Sequence, residues 1–268
     1  MGNCRRCIRR TLRLIPSRHW NNTYVFDASA VSIGAIGCYD VNAPNACAGS
    51  VGGFFNELSS TTFSGAANLP PSLVVEESPS ASGHNNDTFG TDILKLSSSL
   101  SLANFPFGVN KGNVDNVNAL GVGRNSTLLN TLLSRGDIAS RSYSYWDGWT
   151  GAESQYQMDG SLIFGGYDAA KISGNNITLP FTTSKFCSEG YIVEISDIKL
   201  EMPNGSKPSI IGSYAGSSLR ACIGPGYPIM SFPQEIWTAF VAATGVQDTG
   251  NRSTTTDFWA MLINNNAL

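Results

Sequence analysis

The side chains able to do chemistry in this chain are few and widely separated. Six cysteines stand at Cys4, Cys7, Cys38, Cys47, Cys187 and Cys222, and two histidines at His19 and His84. A metal centre needs ligands at short fixed spacings. Neither histidine has such a spacing to a thiol, so no metal and no cofactor is expected. Gly121-x-Gly123 lacks the third glycine and the strand-helix-strand context of a nucleotide loop. Thiol and carboxylate chemistry remain. Cys38 and Cys47 enclose a short loop containing Asn, Pro and Ala, which suits a local disulfide in an oxidising compartment. Cys187 and Cys222 offer a second pair; the alternative for each cysteine is a buried free thiol. Among the acids, Asp27 ends the apolar run Tyr24-Val25-Phe26, and Asp168 follows Leu162-Ile163-Phe164 and the pair Gly165-Gly166. An acid after a glycine bend can accept hydrogen bonds from the backbone that follows and start a turn. The stretch Gly160 to Gly174 therefore reads as a strand and turn marking a boundary between two β lobes, with a site between them.

The elements that must position these residues are short. At 268 residues the chain can form one large or two modest domains. Charged residues make up 14%, well below the usual quarter, and Gly, Ser, Thr and Asn are abundant. This favours short strands and many turns over long salt-bridged helices. Strands are expected at Tyr24–Phe26, Thr88–Leu96, Phe105–Val109, Ile138–Tyr145, Leu162–Phe164, Thr178–Phe181 and Tyr191–Leu200. Phe54 to Phe63 reads as a turn with aromatic anchors, and 64–88 as a hairpin with its tip at Ser78 to Gly83. Ser126 caps a helix that places Leu128, Leu129, Leu132 and Leu133 on one face and ends at Gly136. Pro203-Asn204-Gly205 is a hairpin turn, and Arg220 to Phe232 a strand, turn and strand. Pro233 to Thr244 is a helix with Pro near its first turn and Ile236, Phe240 and Val241 on one face.

Charge is unevenly placed. Arg5, Arg6, Arg9, Arg10, Arg13 and Arg18 fall in the first 18 residues with no acid among them; without them, 11 basic side chains face 20 acidic ones. An acidic body argues against nucleic acid as a partner. Residues 1–19 read as a basic segment separate from the fold. The stretch has no apolar core of signal-peptide length, and Arg6 breaks the myristoylation pattern. Cys4-x-x-Cys7 beside arginines suits palmitoylation, or the stretch resembles a transit peptide, or the natural start of the protein is missing or replaced. No membrane-spanning run occurs. Asn-X-Ser/Thr motifs stand at Asn21, Asn86, Asn125, Asn176, Asn204 and Asn251, more than a cytosolic chain is expected to carry.

Several pieces, in order along the chain, together resemble the pepsin-like aspartic proteases, and among them the fungal secreted branch. They are the Cys38–Cys47 loop with FFNELSSTTF, then SASG and FGTDILKL, LGVGRNSTLLNTLLSRGDIASRSYSYW, and DGSLIFGGYDAAKISG. LPFTTSKFCSEGYIVEISDIKL and ACIGPGYPIMSFP complete the set. The resemblance spans residues 24–245. It implies a mostly β, bilobal fold with a near-complete N-terminal lobe over 20–178 and a truncated C-terminal lobe over 179–268. It also implies peptide or unfolded-protein substrates, a secreted, cell-surface or vacuolar location, and a monomer.

The family's chemistry needs two carboxylates that share one proton, because two like charges so close cannot both ionise. One acts as base on a bound water; the other, protonated, polarises the peptide carbonyl. Each sits in an apolar-apolar-Asp-Thr/Ser-Gly turn. The first slot matches Val25-Phe26-Asp27, followed by Ala28 and Ser29 where Thr and Gly belong; the alternative for Asp27 is an ordinary strand-end acid. Counting back from Pro233 puts Gly224, Pro225 and Gly226 in the second slot, and glycine cannot transfer a proton. The flap Tyr slot holds Val75. The literal Asp248-Thr249-Gly250 follows Gln247 and lies behind the helix, so it reads as a loop and not a catalytic turn. The expectation is an aspartic endopeptidase by family that is inactive or severely impaired. The alternatives are a non-catalytic secreted peptide- or glycan-binding protein using the inter-lobe cleft, and an unrelated all-β carbohydrate-active protein.

Overall fold

The structure is a computed structural model. It describes residues 11–27, 52–65, 88–111, 118–146, 148, 155, 158–185, 187, 190–214, 218–223 and 232–245, with the backbone of 247–252 and 259–262. The described elements are mostly strands, and the chain divides into two compact units, Met1–Asn176 and Ile177–Leu268.

Unit one is built on a six-stranded sheet. Its strands are β1 (Ile15–Ser17), β2 (Tyr24–Phe26), β3 (Ser64–Gly65), β4 (Thr88–Lys95), β5 (Ser101–Asn110) and β6 (Ala119–Gly121), in the order β1-β6-β2-β5-β4-β3. The stretch 1–19 is therefore not wholly separate from the fold. Ile15–Ser17 pairs in parallel with Ala119–Gly121, and the Arg13 N–H donates to the Gly52 carbonyl at 2.7 Å. Charge composition misled here, because pairing along an edge uses backbone groups and is indifferent to side-chain charge.

The antiparallel β4–β5 pair is the longest, running from Thr88 opposite Val109 to Lys95 opposite Ser101. Its register shifts between Asp92 and Leu94, where Asn104 takes φ 53, a left-handed value that Asn tolerates better than most residues. Alternation along β5 then sends Phe105, Phe107 and Val109 to one face, where they join Val25, Phe55 and Leu120 in the core. Phe55 meets Phe107 edge-to-face at 5.2 Å, and Phe63 packs beside both, so the aromatic anchors of 54–63 are core contacts.

Helix α1 (Thr127–Ser134) closes the same core. Ser126 caps it by accepting from the Leu129 N–H at 3.1 Å, while its own hydroxyl donates to the Gly121 carbonyl at 2.6 Å. Leu128, Leu129 and Leu132 are buried, whereas Leu133 is 39% exposed. At about 100° per residue, Leu133 lies outside the arc set by the other three. Gly136, at φ 77, ends the helix: its N–H reaches Leu133 and that of Asp137 reaches Leu132. The chain then turns, so the strand expected from Ile138 starts only at Tyr143. There β7 (Tyr143–Trp146) pairs with β8 (Ser161–Phe164). Ile138 joins the core, and a Cβ on Gly165 would stand 2.8 Å from its Cβ. Asp168 accepts from the Ala170 N–H at 3.0 Å and starts a 3-10 turn over Ala169–Lys171.

In unit two, β9 (Ile192–Ile195) pairs with β10 (Leu219–Cys222), and Cys187 is disulfide-bonded to Cys222. The single strand expected over Tyr191–Leu200 is split between two partners. Its first half faces β10; beyond Ile195 it pairs with 206–210 through the Lys199–Ser209 bridge and the Pro203-Asn204-Gly205 turn. Residues 178–181 form no strand; Leu179 and Phe181 are exposed, a short apolar run with no ladder to join. Helix α2 (Gln234–Thr244) has Pro233 at its N-cap, buries Ile236 and ends at Gly245, φ 66. Asp248-Thr249-Gly250 lies inside β11 (Gln247–Arg252), which pairs irregularly with β12 (Trp259–Leu262), and not in the expected loop. The 78–83 hairpin tip, the Cys38–Cys47 loop and the second half of 220–232 fall outside the described residues.

Two measurements check this account. Ser126→Ala removes the helix cap and a buried acceptor's partner together, and should cost about 1–2 kcal/mol in denaturant unfolding of the full chain. In unit two, the Ser209 hydroxyl donates to Asp197 at 2.5 Å and, with Lys199 beside it, holds that carboxyl below its ordinary value. A depressed folded-state pKa stabilises above the unfolded value of about 3.9, and that contribution is lost as pH falls through the folded value. Ser209→Ala should therefore move the Asp197 titration, followed by carboxyl NMR, upward.

Candidate functional site

Asp27 is placed by the end of β2, whose three residues Tyr24, Val25 and Phe26 are all buried. The strand lies between β6 and β5, so its position is fixed from both sides. The Asp27 N–H donates to the Asn110 carbonyl at 2.9 Å, and Asp27 forms a parallel bridge with Phe55. The Phe55 N–H completes the contact by donating to the Phe26 carbonyl at 2.7 Å. The result is a half-buried acid at the end of a strand that is paired on both sides.

Asn118 supports this placement, and reading the sequence for chemistry missed it. It is 1% exposed; its Oδ1 accepts from the Phe26 N–H at 2.8 Å and its Nδ2 donates to the Gly53 carbonyl at 2.9 Å. One amide thus satisfies a donor on the Asp27 strand and an acceptor on the segment leading to Phe55. The only signal in the sequence is a polar residue directly ahead of the apolar Ala119-Leu120, where a core strand begins.

The glycines of Gly121-x-Gly123 serve packing. A Cβ on Gly121 would lie 2.3 Å from the Asn22 carbonyl oxygen, and one on Gly123 would lie 2.8 Å from that of Trp20. Two backbones cross there at a distance only glycine allows. The Val122 and Gly123 N–H groups donate to the carbonyls of Ser17 and Trp20, and the Gly121 N–H to the Thr23 hydroxyl.

A cavity of about 560 Å³ lies in unit one, lined by Val25, Phe55, Phe105, Phe107 and Leu120 among others, with Ser60, Thr62 and Asp92 on one wall. Asp92 there is a structural clamp: it accepts from the hydroxyls of Ser60 and Thr62 and from the Ile93 N–H. Asp27 is not among the lining residues. Of the other site residues read from the sequence, Gly224 and Val75 lie outside the described residues, as do Ala28 and Ser29. The structure therefore fixes one carboxylate and leaves its relation to the second slot undescribed. Among the described residues no group of three His, Cys, Asp or Glu side chains could hold a metal ion, and no helix is long and apolar enough to cross a membrane.

A strand-rich chain of two units, with an acid at the end of a buried central strand, has the architecture of an acid protease. The model of the eukaryotic aspartyl protease family matches residues 106–258, more than half of the chain, and the chain belongs to that family. An aspartic proteinase from Irpex lacteus has a similar structure, with a TM-score of 0.53 at 18% identity, covering 93% of this chain and 64% of that one. At that identity the likeness speaks for the fold. This chain spans less than two thirds of that protein's length. None of the curated proteins matches it. Family membership displaces the carbohydrate-active reading. The matched stretch includes Gly224 and begins after Asp27.

Asn118→Ala leaves the Phe26 N–H and the Gly53 carbonyl without their partner. It should cost roughly 2–4 kcal/mol in chemical unfolding. Hydrogen exchange at the Phe26 amide should rise in the same variant.

Proposed function

We propose that this chain is an aspartyl protease family member with little or no peptidase activity. The observation that carries the reading is the residue in the second catalytic slot, Gly224. Peptide hydrolysis by a carboxylate pair assigns two tasks to two groups: base toward water, and acid toward the carbonyl oxygen. Asp27 can hold or release one proton at a time and cannot do both in one step. Ala28 adds to the loss, since the missing hydroxyl would have oriented the carboxylate. What survives is a framework for holding an extended peptide, and peptide or unfolded protein is the ligand class we assign. An oxidising, secretory or vacuolar setting fits the Cys187–Cys222 disulfide and the six glycosylation motifs. A monomer fits a chain that carries both slots itself.

The test uses the full chain and an unstructured protein substrate at roughly pH 3–5, where a shared-proton pair works. We expect no cleavage sensitive to a transition-state-mimicking peptide inhibitor, and no change with Asp27→Asn. Inhibitor-sensitive cleavage that disappears in Asp27→Asn would overturn the proposal. Saturable inhibitor binding without cleavage favours a peptide-binding protein over a chain that has lost both functions.

A further inference from the structure

The glycosylation motifs are not equivalent in the fold. Four of them, at Asn21, Asn125, Asn176 and Asn204, fall on residues whose surroundings are described. We propose that Asn125, Asn176 and Asn204 carry N-linked glycan in the folded protein, and that Asn21 stays bare because its side chain is a structural bracket. The inference rests on the secretory setting proposed above.

Asn204 sits at the turn of the hairpin that joins 200–202 to 206–208. Its Oδ1 accepts from the Ser206 N–H at 2.9 Å, and Nδ2, the atom that takes the sugar, has no partner among the described residues. Asn176 lies in 171–180, where every residue is exposed. Asn125 is exposed one residue ahead of the Ser126 cap, and its side chain has no partner among the described residues. At each of the three, a glycan adds bulk where the chain already faces water.

Asn21 differs in its burial and in the bonds of its side chain. It is half-buried, and the next five residues are buried. Its Oδ1 accepts from the Asn125 N–H at 2.9 Å, and its backbone carbonyl accepts from the Thr127 N–H at 2.9 Å. A Cβ on Gly123 would lie 2.6 Å from that same Oδ1, so the amide is packed against glycine backbone. An amide is planar, so holding Oδ1 on Asn125 also fixes the direction of Nδ2. A sugar there cannot swing to solvent without breaking the bond that ties β2 to the start of α1. Because sugar is transferred to the unfolded chain, the motif alone does not discriminate. Discrimination comes when the chain folds: a chain glycosylated at Asn21 cannot close this crossing and is removed from the folded population.

The experiment expresses the full chain in a eukaryotic host behind an appended cleavable secretory leader. Glycans on folded protein are mapped by enzymatic release, which converts each occupied Asn to Asp. Conversion is expected at Asn125, Asn176 and Asn204 and not at Asn21. Asn21→Asp, which deletes the motif but keeps the accepting oxygen, should leave glycan mass and yield unchanged. Asn204→Gln and Asn176→Gln should each remove one glycan. Conversion at Asn21 in folded protein, or loss of one glycan in Asn21→Asp, overturns the proposal, as does absence of glycan at all three acceptors. Folded, secreted protein in which Cys187 and Cys222 remain reduced overturns the oxidising, secretory setting alone, because glycan mapping reads the acceptor sites independently.

Discussion

One crossing holds unit one together. Residues 17–24 pass over 118–127 so closely that Gly121 and Gly123 have no room for a side chain. Six hydrogen bonds fasten the two segments: Val122 to Ser17, Gly123 to Trp20, Thr127 to Asn21, Asn125 to the Asn21 amide, Gly121 to the Thr23 hydroxyl, and the Thr127 hydroxyl to the Asn22 amide. Buried polar groups left unpaired would each cost a desolvation penalty, so the crossing is stable only when complete. Its consequences spread outward. It sets β2 between β5 and β6, carries Asp27 to the strand end, and seats the Ser126 cap at the start of the helix that closes the core.

The two halves of the expected catalytic pair depend on the fold very differently. Asp27 is the last link of a buried strand and is held by the backbone of Asn110 and, through Phe26, by the Asn118 amide. These bonds are made by the backbone of the strand, and backbone bonds do not depend on the identity of the side chain they carry. Fold and chemistry therefore answer to different parts of the chain, and membership of a family does not by itself fix an activity. The clamp on Asp92 makes the complementary point. An acid bonded to two hydroxyls and a backbone N–H is committed to structure, however suggestive its place on a cavity wall.

Much of the local structure was legible in the sequence because it depends on near neighbours. The Ser126 cap, the Gly136 stop, the Asp168 turn and the Pro203-Asn204-Gly205 hairpin each involve residues within a few positions of one another. The misreadings share the opposite character. Tyr191–Leu200 alternates as one strand, but its two halves find different partners. Residues 178–181 are apolar and still have no ladder to join. Asp248-Thr249-Gly250 lacks the apolar flanks of a strand and is paired all the same. In each, the presence or absence of a partner outside the run decided the outcome, and alternation cannot report a partner.

The sequence by itself determined the family and the identity of the residues at positions 27 and 224. Both are facts of residue identity and order, which folding does not alter. It also placed the Cys187–Cys222 pair, though not to the exclusion of free thiols. Only the tertiary structure decided that Ile15–Ser17 belongs to the sheet, that Asn118 braces the Asp27 strand, and that Asn21 and Asn204 have different surroundings despite carrying the same motif. Those distinctions rest on burial and, at Ile15–Ser17, Asn118 and Asn21, on contacts between segments far apart in the chain, which no local pattern encodes.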